Sequence, residues 1–205
     1  MTVHPGKLAP LPAWPRTADG RPATLVAALA RNAHDHGGTV AMRERDLGIW
    51  LERTWSELLE EVIACAAGLE ELGLEAGHAM TIIGDNRPRL YVASLAAMAL
   101  RAFPAPVFPD VPPQELTHYT RHGTPSVAVA EDQEQVDKLL ELRERIGRPK
   151  CIVYDDPRGI MAYKVDGLVS MDAVIERGRK RLTETPALAA DLVSRAQGSD
   201  IAVLL

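Results

Sequence analysis

Two short clusters in this sequence contain residue types that can bind metal ions. His118 and His122 are four residues apart on a predicted helix, a spacing that can hold a metal ion. No acidic residue stands at the metalloprotease position between them and no third ligand is evident, which favours a solvated helix end. Asp155 and Asp156 offer carboxylates to magnesium, but an aspartate before Pro157 is first of all a turn former. Neither cluster predicts a metal site.

A basic run near the end of another predicted helix offers a contact for phosphate. Its members are Arg177, Arg179, Lys180 and Arg181. Such a run could meet a phosphate or an anionic membrane, but cations also suit the C-terminal turn of a helix because they face the negative end of its macrodipole. The glycines are scattered as helix caps rather than gathered in a phosphate-binding loop, and no nucleophile stands beside a base. Residue chemistry alone therefore predicts no catalytic residue.

The stretch from residue 79 to residue 110 predicts the unit around which the domain is built. A short apolar run at 80–84 predicts a buried strand, Pro88 opens a helix because its φ is already set, and a second strand follows at 105–108. The helix is apolar almost all round, so it must be covered on more than one side. Strand, helix and strand with short links predict a right-handed βαβ unit of a parallel sheet.

The same alternation continues towards the C-terminus. Further strands are predicted at 127–130 and 151–154, an irregular segment at 155–169, and one more strand, buried on both faces, at 201–205. The fold class expected is therefore α/β, a doubly wound and mostly parallel sheet with helices on both faces.

The N-terminal part predicts smaller features. Five prolines within residues 1–22 predict an extended Pro-rich arm. Asp46-Leu47-Gly48 predicts the turn of a hairpin, and Thr54-Trp55-Ser56-Glu57 matches a capping box at the start of a helix.

Composition excludes several classes of function. The chain has 205 residues, with Lys+Arg 23 and Asp+Glu 28, so its formal net charge of −5 argues against nucleic-acid binding. Cys65 and Cys151 form no metal pair and fit a reduced compartment. No apolar run is long enough to span a membrane and no signal peptide is evident, so a cytoplasmic location is expected. A peripheral membrane contact and a homodimer stay open.

Several segments, in order, resemble the acyl-adenylate-forming enzymes. The segment Thr54-Trp55-Ser56-Glu57-Leu58 resembles their first core motif. Residues 98–110 resemble the second, in which a helix ends in small residues, a Pro-Val-type strand follows, and Pro-Asp comes directly after the strand. Gly84-Asp85-Asn86-Arg87-Pro88 is similar to the segment between them. Asp46-Leu47-Gly48-Ile49-Trp50 and residues 131–139 resemble the long-chain acyl-CoA synthetase (fatty acid–CoA ligase) branch in particular, as does the run from Ile152 to Gly159. The resemblance covers the chain from about Leu25 to its end.

This resemblance implies a reaction and its cofactors. Enzymes of the family join a carboxylate to ATP with Mg²⁺, release pyrophosphate, and pass the acyl group to coenzyme A. In the family, the Ser/Thr/Gly-rich phosphate loop, the adenine motifs, the magnesium-binding glutamate and the catalytic lysine all follow a strand like residues 200–205. None of them can be assigned here. Residues 23–205 are therefore expected to be the N-terminal α/β subdomain of an AMP-binding domain, ending before the phosphate loop and inactive alone.

One ligand contact follows from the resemblance. In relatives, the loop after the second strand lies near the nucleotide of coenzyme A, which implies a contact at Pro109 and Asp110, and a simple strand-ending turn is the alternative. The activity expected of the full-length protein is that of an acyl-CoA synthetase for a long-chain fatty acid. Two alternatives remain: a non-catalytic binding or dimerisation module with the same scaffold, and an adenylate-forming ligase for another carboxylate.

Overall fold

The computed structural model describes residues 14–120 and 125–205. Within these ranges the helices are α1 Leu25–His36, α2 Trp55–Glu71, α3 Pro88–Ala99, α4 Pro113–Tyr119, α5 Gln133–Ile146, α6 Met171–Glu184 and α7 Ala187–Arg195. The strands are β1 Val40–Asp46, β2 Ile49–Thr54, β3 Ala79–Ile83, β4 Phe103–Val107, β5 Val127–Ala130, β6 Cys151–Tyr154 and β7 Leu168–Ser170. Most of the predicted Pro-rich arm, residues 1–13, lies outside the described residues, so the arm stays a prediction.

Five strands form one sheet in the order β4-β3-β5-β6-β7, and every neighbouring pair is parallel. The four strands predicted for this sheet are confirmed, with their ends moved by a few residues. The fifth strand, β7, corrects the prediction of an irregular segment at 155–169. It has only three residues, too few for a periodic pattern, and pairing with the edge of β6 gives it its extended conformation.

Helices cover both faces of the sheet. One face presents Met80, Ile82, Val127, Val129 and Val153 to a core that contains buried residues of α1, α2, α3, α6 and α7. The other face presents Ile83, Ala128, Ala130 and Ile152 to a smaller core with α4 and α5. The doubly wound arrangement predicted from the alternation of strands and helices is confirmed.

Two glycines let α2 and α6 approach each other closely. A Cβ added to Gly178 would lie 1.7 Å from the carbonyl oxygen of Ala64, and one added to Gly68 would lie 2.1 Å from that of Val174. The α2 helix begins with the predicted capping box: Thr54 Oγ1 accepts from the Glu57 N–H at 3.3 Å, and Glu57 Oε2 accepts from the Thr54 N–H at 2.8 Å. The capping box thus defines the start of α2, and the two glycines allow its close crossing with α6.

The apolar run at 201–205 is not a strand, so this prediction is wrong. Its residues are exposed, and its one backbone contact with the sheet is the hydrogen bond from the Leu204 N–H to the Pro104 carbonyl oxygen at 3.0 Å. The run lies beside β4, the outer strand of the sheet, and none of the described helices or strands buries it. Apolar composition alone does not distinguish such a segment from a buried strand.

No described helix combines the length and the apolar character that crossing a bilayer requires.

Candidate functional site at the carboxyl edge of the sheet

The strand order places a topological switch point between β3 and β5, because the chain leaves β3 towards β4 on one side and returns to β5 on the other. In open parallel sheets, ligands gather in the crevice at the carboxyl ends of the strands, above such a point. The segments that line this edge are the turn after β4, the turn after β3, and the residues that follow β5 and β6.

The turn after β4 contains the two residues predicted to contact coenzyme A. Pro109 and Asp110 form its centre, and the Val111 N–H donates to the Phe108 carbonyl oxygen at 3.2 Å. From α5, the largely buried Lys138 ammonium donates to the Pro109 carbonyl oxygen. The Phe108 ring is 78% exposed. The Lys138 ammonium thus stabilises the turn through the Pro109 carbonyl, and Phe108 is exposed to solvent beside it. Ligand binding at Pro109 and Asp110 stays a prediction.

The side chain of Glu131, which follows β5, connects the two strands at the switch point by binding the turn after β3. One of its carboxylate oxygens accepts from the Asp85 N–H at 2.5 Å and the other accepts from Arg87 Nε at 2.8 Å. A Cβ added to Gly84 would lie 2.6 Å from the Glu131 Cβ, so the Glu131 side chain packs directly on the Gly84 backbone. Hydrogen bonding to Glu131 raises the pKa of Arg87. The Glu131 carboxylate therefore already accepts the hydrogen bond that the Asp85 N–H can donate.

Arg89, in the first turn of α3, connects three elements through their carboxylates. It donates to Glu61 at 2.9 Å, to Asp155 at 3.0 Å and to Asp172 at 2.5 Å. Burial opposes the charge on Arg89, but the charges of Asp155 and Glu61 outweigh it and hold the pKa of Arg89 above its ordinary value. Burial in turn raises the pKa of the Asp155 carboxyl, against the effect of Arg89. Asp155 is therefore an ion-pair partner that links β6 to α3.

The structure describes three of the four metal candidates considered from the sequence, Asp155, Asp156 and His118. Asp156 binds Arg158, which lowers the pKa of the Asp156 carboxyl, while Asp155 turns to Arg89. His118 is exposed on α4, and His122 lies outside the described residues. Over residues 14–120 and 125–205, no three histidines, cysteines or carboxylates are placed to hold a metal ion.

The basic run belongs to the outer end of α6. Arg179 pairs with Glu176 at 3.6 Å and Lys180 with Glu184 at 3.9 Å, both at exposed positions. Arg181 instead reaches Glu70 on α2 at 2.9 Å. Arg179 and Lys180 therefore belong to a solvated helix end, as the sequence favoured, while Arg181 links α6 to α2 through an ion pair.

Sequence reasoning missed the residues that organise this edge: Phe108, Glu131, Lys138 and Arg89. A usable pattern existed for Glu131, because a polar residue directly after a buried parallel strand lies at the carboxyl edge. Lys138 offered no comparable pattern, since its partner is a backbone carbonyl 29 positions away in the chain.

Comparison with known proteins relates this chain to one enzyme family. The AMP-binding enzyme family matches residues 29–204. The chain is 30% identical over 104 residues to the long-chain-fatty-acid–CoA ligase heimdall of Drosophila melanogaster, which covers 51% of this chain and 15% of that protein. It is 28% identical over 123 residues to the uncharacterized protein Rv1549 of Mycobacterium tuberculosis, covering 60% of this chain and 69% of that protein.

A solved structure supports the fold. The A-PCP didomain of carboxylic acid reductase from Segniliparus rugosus, in complex with AMP, superposes with a TM-score of 0.67 at 19% identity, over 76% of this chain and 26% of that one. The chain spans between 15% and 26% of the length of three long-chain-fatty-acid–CoA ligases that it matches. The family match covers nearly all of the described residues, and the fold is that of a solved protein in complex with AMP. This chain therefore belongs to the AMP-binding enzyme family.

Proposed function

We propose that this chain is the N-terminal α/β part of an ATP-dependent acyl-CoA synthetase. The longer protein would activate a long-chain fatty acid as its acyl-adenylate and transfer the acyl group to coenzyme A. The family match supports the adenylate-forming chemistry, and the ligases among the relatives support this choice of substrate and acceptor. Its place of action is then the cytoplasm, where fatty acid, ATP and coenzyme A meet.

Within such an enzyme, we assign to this part the nucleotide end of coenzyme A, at Pro109 and Asp110. The observation that carries this assignment is the turn after β4, at the ligand-gathering edge of the sheet, with its carbonyl held by Lys138 and the Phe108 ring open to solvent. An adenine base can stack on an exposed aromatic ring, and stacking of this kind contributes about 1–3 kcal/mol per base.

The sites for ATP and Mg²⁺ are proposed for the longer protein. The 205-residue sequence contains no glycine-rich phosphate loop, and at the switch point the Asp85 N–H already donates to the Glu131 carboxylate. The described residues also lack a carboxylate cluster suited to a metal ion. Positioning and charge stabilisation supply most of the rate in such transfers, so the chain alone is expected to be inactive.

Titration of coenzyme A into the isotope-labelled chain tests the assignment. Amide resonances of Phe108, Asp110 and Val111 should shift, and Phe108→Ala should weaken binding by about tenfold, the loss of one stacked base. Trp50→Ala is the matched control, because Trp50 is also an exposed aromatic residue but lies on β2 of the separate hairpin. Shifts confined to other parts of the chain, or equal losses in both variants, would contradict the assignment.

Exchange of labelled pyrophosphate into ATP, dependent on a fatty acid, tests the activity. The 205-residue chain should give only background exchange, whereas a polypeptide that continues into a phosphate loop and a catalytic lysine should exchange. Exchange above background by the 205-residue chain alone would show that its own residues suffice for adenylation.

The match to Rv1549, which covers 69% of that protein, supports a second candidate, a non-catalytic binding or dimerising module built on the same scaffold. This candidate predicts self-association of the chain in sedimentation experiments and no dependence on coenzyme A. An adenylate-forming ligase for another carboxylate would show the same coenzyme A contact and a different substrate in the exchange assay.

A further inference from the structure

A mostly apolar groove lies between the start of α1, the end of α3 and the segment that follows α7. Its volume is about 330 Å³, and its lining includes Leu25 and Ala28 of α1, Met98 of α3, and Ile201 and Ala202. Leu25 is 55% exposed and Ile201 is 56% exposed, so the described elements leave both side chains largely uncovered. Neither the sheet nor the proposed coenzyme A contact accounts for this apolar surface.

The described chain begins beside this groove. Arg16 forms an antiparallel bridge with Pro22, and the Ala23 N–H donates to the Pro15 carbonyl oxygen at 2.9 Å. Because these two segments run antiparallel, the chain before Pro15 is directed towards the residues that follow Ala23, and those residues line the groove. The 13 residues that precede the described chain are therefore attached next to one end of the groove.

Residues 8–13, which we call the arm segment, match the groove in polarity. The sequence of the arm segment is Leu-Ala-Pro-Leu-Pro-Ala, without a charged residue. Its prolines, Pro10 and Pro12, have no backbone N–H, so docking would remove fewer donors from water. In the lining of the groove Asp200 is charged, but it pairs with Arg101 at 2.9 Å. Contact between the arm segment and the groove would therefore bury no unpaired charge, the most costly group to desolvate.

The spacing of the large apolar residues in this part of the sequence favours a polyproline II helix. Leu8, Leu11 and Trp14 recur at every third residue. A polyproline II helix, which Pro-rich segments favour, has about three residues per turn, so it places these three side chains on one face. Its rise is about 3.1 Å per residue, so Leu11 would lie about 9 Å and Leu8 about 19 Å from Trp14. One apolar stripe would thus extend from Trp14 along the whole arm segment.

Trp14, at the end of this stripe, is packed on the domain. It contacts the larger core, its ring centroid lies 5.6 Å from that of His34 on α1, and the Arg16 guanidinium lies 5.2 Å from its ring centroid. A segment attached to a fixed residue meets its groove at a high effective concentration. Prolines further reduce the conformational entropy that is lost when an extended segment docks in a groove.

We propose that the arm segment docks in this groove as a polyproline II helix, with Leu8 and Leu11 against Met98 and Ile201. The docked segment connects α1 to the run at 201–205 and holds that run beside β4, where none of the described helices or strands buries it. The contact lies within one chain and needs neither ATP nor coenzyme A, so it does not depend on the proposed activity.

A nitroxide label on the full chain with Ala9→Cys tests where the arm segment lies. The native cysteines, Cys65 and Cys151, are both buried, so the label should attach at position 9. Paramagnetic broadening should reduce the methyl signals of three residues in the groove, Leu25, Met98 and Ile201. The methyl signal of Met161, which is exposed on the loop after β6, should keep its intensity and serves as the control. Unchanged methyl signals in the groove would overturn the proposal.

A mixed sample distinguishes docking within one chain from docking on a second copy. It contains the spin-labelled chain without isotope enrichment and the unlabelled native chain with isotope enrichment. The methyl signals of the groove should keep their intensity in this mixture. Broadening in the mixture would mean that the arm segment binds a second copy. Recovery of a small apolar molecule from the purified chain, together with unchanged methyl signals, would assign the groove to that ligand. Either result would contradict the proposal.

Charge substitutions in the arm segment test the apolar stripe without changing the core. The Leu204 N–H, which donates to the Pro104 carbonyl oxygen at 3.0 Å, reports on the run that the arm segment holds. Leu11→Asp should speed hydrogen exchange of this N–H by about tenfold, the effect of removing one buried leucine, and should restore the methyl signals in the labelled chain. Ala9→Asp is the matched control, because Ala9 lies on another face of a polyproline II helix, and it should leave exchange unchanged. Equal exchange rates in the two variants would refute docking through the stripe.

Discussion

At the scale of single residues, charged side chains fix the turns that join the elements of this domain. Arg101 follows α3 with a φ of 62° and donates to Asp200 from Nη2 at 2.9 Å and from Nε at 3.1 Å. Asp200 also accepts from the Gln197 N–H at 2.7 Å. One carboxylate therefore closes its own turn and ties it to the end of α3.

Asp200 should make the stability of the chain depend on pH. Hydrogen bonding to Arg101 lowers the pKa of the folded Asp200 carboxyl from its ordinary value of 3.8. A depressed folded pKa gives stability that is present above 3.8 and is lost as the pH falls towards the folded value. Asp200→Asn should therefore lower the melting temperature at pH 7 and flatten its acid decline. Asp166→Asn, at an exposed position, is the control, and an unchanged acid limb in Asp200→Asn would refute the assignment.

Glu131 is the residue whose loss should disturb the carboxyl edge most. Glu131→Ala leaves the Asp85 N–H without its acceptor and leaves Arg87 with Glu44 as its remaining carboxylate partner, and we expect a loss of about 1–3 kcal/mol in the free energy of unfolding, measured with urea. Glu184→Ala removes an exposed ion pair 3.9 Å long and should cost less than about 0.5 kcal/mol. Equal effects would mean that the switch-point carboxylate does not stabilise the edge.

At the scale of elements, the crossing of α2 over α6 depends on the absence of side chains at Gly68 and Gly178. Both glycines are buried in helices, where their backbone freedom is a disadvantage, so close approach is the reason for their presence. The carbonyl groups of Ala64 and Val174 occupy the space that a Cβ would need.

Gly178→Ala should therefore destabilise the fold despite the higher helix propensity of alanine. The added Cβ forces the helices apart, and we expect a cost of about 1–3 kcal/mol. Gly38→Ala is the matched control, since nothing lies within 4 Å of the added atom, and it should be neutral or stabilising by less than about 1 kcal/mol. A melting temperature of Gly178→Ala at or above that of the native chain would show that the crossing is looser than the distances indicate.

At the scale of the whole molecule, a single sheet joins two cores. The larger core contains buried residues of α1, α2, α3, α6 and α7, and the smaller one those of α4 and α5. Neighbouring residues of the same strands, such as Val129 and Ala130, serve opposite cores. Loss of either core would therefore expose one face of strands whose other face the remaining core still covers.

This arrangement predicts unfolding in one cooperative step. Far-ultraviolet circular dichroism, which reports on all helices, and tryptophan fluorescence, which reports on Trp14, Trp50 and Trp55, should give coincident urea transitions. The α4 and α5 layer contains no tryptophan, so a dichroism transition that separates from the fluorescence transition would mean that this layer unfolds independently.

The sequence alone determined the parallel sheet, the helix caps and the family resemblance, because all three depend on local patterns. Apolar runs at 127–130 and 151–154 and the capping box at Thr54 are specified by neighbouring residues, and the structure confirms them. Only the tertiary structure decided which edge-strand segments pair: β7 gained a partner in β6, whereas residues 201–205 lie uncovered beside β4. The tertiary structure also decided which residues meet at the candidate site. Glu131 binds Asp85 and Lys138 binds Pro109, although these partners are far apart in the chain. Such contacts follow from the order of the strands in the sheet and not from a local sequence pattern.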